Sequence, residues 1–79
     1  MKKFRITVVS LPDRENLVSE IIYNGVQWAE ISQEPGQEQP IIQFYSHPRQ
    51  RHWEFSLDDA LEALEQAKKS FLGMGGIRE

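Results

Sequence analysis

The chain has 79 residues and a formal charge of −3, with 39% hydrophobic and 27% charged residues. These proportions are close to those of an average globular domain. They exclude two ordinary domains, a membrane span of roughly 20 apolar residues, a disordered chain and the basic excess of a dedicated nucleic-acid binder.

The first element in chain order is a strand over Phe4 to Val9. It is rich in β-branched residues, with Phe4, Ile6 and Val8 on one face and Arg5, Thr7 and Val9 on the other. Ser10 to Asn16 has turn chemistry around Pro12-Asp13 and reads as a connector. Leu17 to Tyr23 and Val26 to Ser32 then flank Asn24-Gly25. Asn-Gly is suited to a type I′ turn, whose twist matches the strands on either side. An uninterrupted two-residue hairpin places Tyr23 opposite Val26, Ile21 opposite Trp28, Glu20 opposite Ala29 and Val18 opposite Ile31. On that register both hairpin faces are partly apolar.

A turn at Glu34-Pro35-Gly36-Gln37 leads to a further strand over Ile41 to Tyr45. Ser46 to His52 is a polar loop interrupted by Pro48, and Trp53-Glu54-Phe55 reads as a further short strand. Ser56 then caps a helix whose first turn holds Asp58 and Asp59. Leu57, Ala60, Leu61, Leu64, Ala67, Phe71 and Leu72 form its apolar stripe, and all seven are expected to be buried. Gly73 ends it, and 74–79 is expected to be a flexible tail after a single domain over 1–73.

The expected fold is α+β: an antiparallel sheet of four or five strands with one C-terminal helix packed on one face. One helix shelters one face. The other face therefore carries surplus apolar side chains, a pattern that marks an interface. This surplus is the sequence's main argument for a docking role.

No chemistry-bearing motif stands out. Cysteine is absent, which removes thiol catalysis, thiolate zinc sites and iron–sulfur clusters. His47 and His52 lack the further ligands of a zinc site. Asp58 and Asp59 are accounted for by the helix start. Gly73 to Gly76 follows a helix rather than preceding one, so it cannot present helix N–H groups to phosphate. The expectation is a protein that is not an enzyme and has no cofactor and no metal. The lack of cysteine and of a secretory leader points to the cytoplasm.

Three functional classes follow. The first is a small non-catalytic protein-binding module. Its partner is a second copy, giving a homodimer, or another protein. Tyr23 and Trp28 are candidate anchors, because Tyr and Trp are enriched at binding hot spots, and Glu30 supplies acidity. The second is a nucleic-acid module in which Arg49 and Arg51 hold phosphate and Trp53 stacks a base, helped by Lys2, Lys3 and Arg5. The third is an accessory subunit or small-molecule sensor with a site between subunits. No membrane association is expected.

Ser56-Leu57-Asp58-Asp59-Ala60-Leu61-Glu62-Ala63-Leu64 resembles the start of the helix in HicB-like antitoxin domains, which also place a strand and a hairpin before it. The resemblance covers the first strand and residues 56–64. It implies a small antitoxin or immunity-type inhibitor that sequesters a toxin, and it carries over no catalytic residue.

Overall fold

A computed structural model describes residues 3–73. Its elements in chain order are strands β1 (Phe4–Val9), β2 (Val18–Tyr23), β3 (Val26–Ser32) and β4 (Ile41–Phe44), then helix α1 (Leu57–Gly73). The strands form one antiparallel sheet in sequence order, so each connection joins neighbours. The fold is thus α+β, with four strands and one helix packed across one face. Trp53 to Phe55 does not join the sheet; it runs as irregular chain into the helix. The tail expected at 74–79 lies outside the described residues.

Asn24 and Gly25 turn the hairpin with φ of 50° and 84°, the left-handed pair that a type I′ turn requires. The register beyond the turn departs from the expected one. Ile22 pairs with Gln27, but Ile21 pairs with Ala29, so Trp28 is an extra residue in a β-bulge. From there on Glu20 faces Glu30 and Ser19 faces Ile31. A slip of one residue exchanges the faces of everything after it. It puts Ala29 and Ile31 on the helix side together with Ile21.

The core consequently lies on one side of the sheet. Phe4, Ile21, Ala29 and Ile31 pack against Ala63, Ala67 and Phe71 of α1. At one end Phe4, Tyr23, Trp28 and Phe55 form an aromatic cluster with ring centroids 4.6–5.6 Å apart. Ser56 caps the helix: its Oγ accepts the Asp59 amide at 3.2 Å.

The far face is mixed, which corrects the expected apolar surplus: Val9, Val18, Ile22, Ile41 and Tyr45 share it with a larger set of polar residues, and Val18 is buried. Bulge and alternation place Arg5, Thr7, Glu20, Gln27, Glu30 and Gln43 there. The β1–β2 connector folds over part of it. Asn16 Nδ2 donates to the Gln33 carbonyl at 2.6 Å, the Glu15 amide donates to Glu34 Oε1 at 2.9 Å, and Arg14 pairs with Glu30. Val18, Ser32 and Glu30 are buried.

The helix also departs from expectation. Ala63, Ala67 and Phe71 are its buried residues, whereas Leu57 is 73% exposed, Leu61 55% and Leu72 44%. Small residues let the helix approach closely, with its backbone near Ser19. The leucine row is turned aside: Leu64, Lys68 and Leu72 each follow a buried residue and so lie about 100° around the axis.

Candidate functional site

Two features stand out: an apolar groove beside the helix and a buried ion pair on the far face.

The groove follows from the offset of α1. The helix packs over β1 and β2, touches β3 at its margin and leaves β4 uncovered. A four-strand sheet is roughly 19 Å wide at 4.8 Å per strand, and one helix about 10 Å across covers half of it. The uncovered half is apolar. Pro40, Ile41 and Ile42 on one side and Leu64, Phe71 and Leu72 on the other enclose a groove of about 400 Å³, floored by Ile31. Among the described residues Lys68 is its one charged lining residue. Phe44, 57% exposed, lies on the same face as Ile42. Surplus apolar surface is therefore present, but on the helix side of the sheet.

β4 adds a second property. All four of its residues are exposed, none is charged, and it is an edge of the sheet. The opposite edge, β1, carries Arg5 just after Lys3. Charged edges discourage strand addition; β4 has no such guard.

On the far face, Glu30 is 2% exposed. Arg14 from the connector pairs with one carboxylate oxygen, and the Tyr45 hydroxyl donates to the other at 2.9 Å. Arg14 also reaches Gln43 Oε1 at 3.4 Å. Burial raises the Tyr45 phenol above its ordinary value, and its hydrogen bond to the Glu30 carboxylate raises it further. A phenol raised in the folded state contributes stability below the unfolded value near 10, and that stability is lost as pH rises through the folded one. Absorbance titration of a Tyr23→Phe chain should therefore show the remaining phenol ionising above pH 10 when folded, and falling to the ordinary value in denaturant.

The residues singled out in the sequence fall in three separate places. Tyr23 and Trp28 are half-buried in the aromatic cluster, with Trp28 also 5.3 Å from Phe44 at the edge of the groove region. Glu30 is held by Arg14 and Tyr45. Arg49 and Arg51 are exposed on the 46–52 loop. Trp53 lies against His47 at 4.6 Å and Phe55 at 5.6 Å, and its Nε1 donates to the Tyr45 carbonyl at 2.8 Å. His47 Nδ1 accepts the amides of Arg49 and Gln50. This loop is thus braced by Trp53 against the end of β4.

The groove residues Ile42, Leu64 and Leu72 were not singled out as a site by sequence. They read as ordinary members of a strand and a helix stripe. Their exposure depends on the offset of α1 over β1 and β2, which no local pattern encodes.

Among the described residues no group of three His, Cys, Asp or Glu side chains is placed to hold a metal ion. Among them, too, no helix is long and apolar enough to cross a membrane. No family model, curated protein or solved structure matches this chain.

Proposed function

We propose that this protein is a protein-binding module whose docking surface is the β4 edge together with the groove between β4 and α1. One observation carries the reading. An apolar groove, with Ile41 41% and Leu72 44% exposed along it, adjoins an uncharged open strand edge on which Phe44 is 57% exposed. Exposed large apolar groups that cluster in a concave strip are a common mark of an interface. The surface offers both modes by which such modules hold a partner: main-chain pairing along an edge and side-chain docking in a groove.

The resemblance of residues 56–64 to HicB-like antitoxin domains makes sequestration of a toxin one form this binding takes. It fits a small chain in a compartment without disulfides. The sequence's original support for docking, apolar surplus on the far sheet face, does not contribute; the groove replaces it.

The test is a paired capture experiment. Leu72→Gln alters an exposed residue of the groove wall and Phe44→Gln an exposed residue of the β4 edge, so their joint stability cost should stay near 1 kcal/mol or below. A partner retained by the wild-type chain should be lost by the double variant while its melting transition is nearly unchanged. Equal capture by both chains overturns the reading.

A further inference from the structure

We infer that β4 is a self-association edge: two copies pair β4 against β4 in antiparallel fashion about a twofold axis through Gln43. The inference deepens the docking reading and rests on it, naming a second copy as the occupant of the strand edge.

Hydrogen-bond direction gives the first argument. The Tyr45 amide donates to the Trp28 carbonyl at 2.8 Å, so position 45 points its main-chain groups toward β3. Main-chain groups alternate in direction along a strand. Gln43 therefore also points inward, in register with Glu30, and the N–H and C=O groups of Ile42 and Phe44 point outward.

Symmetry gives the second. In an antiparallel pair, residues directly opposite share a face. When both strands are the same sequence in the same sheet, the axis must pass through a residue. An axis at Ile42 sets outward-facing Phe44 opposite Pro40, which has no N–H. An axis at Phe44 sets Ile42 opposite Ser46, beyond the strand. An axis at Gln43 sets Ile42 opposite the partner's Phe44, and the two symmetric pairs form four hydrogen bonds. Ile41 then faces the partner's Tyr45, and the two Gln43 amides meet at the axis.

Charge gives the third. A twofold contact sets groups near the axis against their own copies, so charges there repel. β4 is uncharged, and Glu30 behind it is compensated by Arg14. The β1 edge would bring Lys3 and Arg5 of two chains together.

Area sets the strength. A stable interface covers about 800 Å² on each partner with 20–30 residues. Five residues a side fall well below this. The dimer is therefore of the weak, concentration-dependent class, and pairing sets the two grooves on one face with Ile42 and Phe44 of both copies between them.

Sedimentation velocity of the full chain over a hundredfold concentration range should show the apparent mass rising from 9.2 kDa toward twice that value. Ile42→Pro removes an outward-facing N–H together with one side chain of the groove wall, and should abolish the rise. Gln43→Lys should also abolish it, because like charges directly opposite repel. Gln43→Glu should behave the same way alone, and an equimolar mixture of the two should restore it. Circular dichroism establishes that each variant is folded; if Ile42→Pro is not, the Gln43 pair decides. A wild-type chain that stays monomeric throughout overturns the inference while leaving a foreign partner for the groove. A dimer that survives Gln43→Lys, or a mixture that fails to restore association, overturns it too.

Discussion

Replacing Phe71 by alanine is expected to cost about 3–5 kcal/mol, the range for removing a buried aromatic side chain and leaving a cavity. Phe71 is 1% exposed and sits where Ile21, Ile31 and the helix meet. A domain of this length has a total stability of roughly 4–12 kcal/mol at 0.05–0.15 kcal/mol per residue. The substitution therefore takes a large share, and the urea midpoint should fall steeply with little change in slope. Leu64→Ala gives the contrast. Leu64 belongs to the helix stripe expected to be buried, but it is only half-buried at the groove wall. Its midpoint shift should be clearly the smaller of the two.

Arg14→Ala is expected to destabilise the chain by about 2–3 kcal/mol, because it strands a buried carboxylate with one neutral donor, the Tyr45 hydroxyl. The figure is kept below that for a fully buried pair because the Arg14 side chain is 20% exposed. The order of effects is diagnostic. Glu30→Gln removes the buried charge itself, and the freed guanidinium can turn to water. Arg14→Ala together with Glu30→Gln should therefore be more stable than Arg14→Ala alone. Denaturant titrations of the three chains measure this directly. If the double variant is the least stable, the carboxylate is not the group that needs compensation. Loss of Arg14 should also speed amide exchange in the connector that it ties to the sheet.

Much of the fold was legible because its signals are local. Asn24-Gly25 sets the hairpin, alternation sets β1, and Ser56 with two aspartates sets the helix start. The bulge at Trp28 was not legible. No glycine or proline marks it, and the strand pattern is apolar on both sides of it. It forms because the aromatic ring is taken up by Phe4, Phe44 and Phe55, a tertiary reward. Missing it reversed the faces of Ala29, Glu30 and Ile31, and with them the location of the apolar surplus. The helix was misread for a related reason. Periodicity shows a broad stripe, but close approach of the backbone selects the alanine row over the leucine row. Glu30 stood out for its charge, while its burial depends on Arg14 and Tyr45, which are distant in sequence.

The contact of Trp28 with Phe44 joins the aromatic cluster to the open strand edge. An indole in that position is a built-in fluorophore for the edge: whatever reaches the strand displaces water beside Phe44 and alters the polarity that the ring senses. With Trp53 changed to phenylalanine, the emission spectrum of the chain would report occupancy of that edge without any added label.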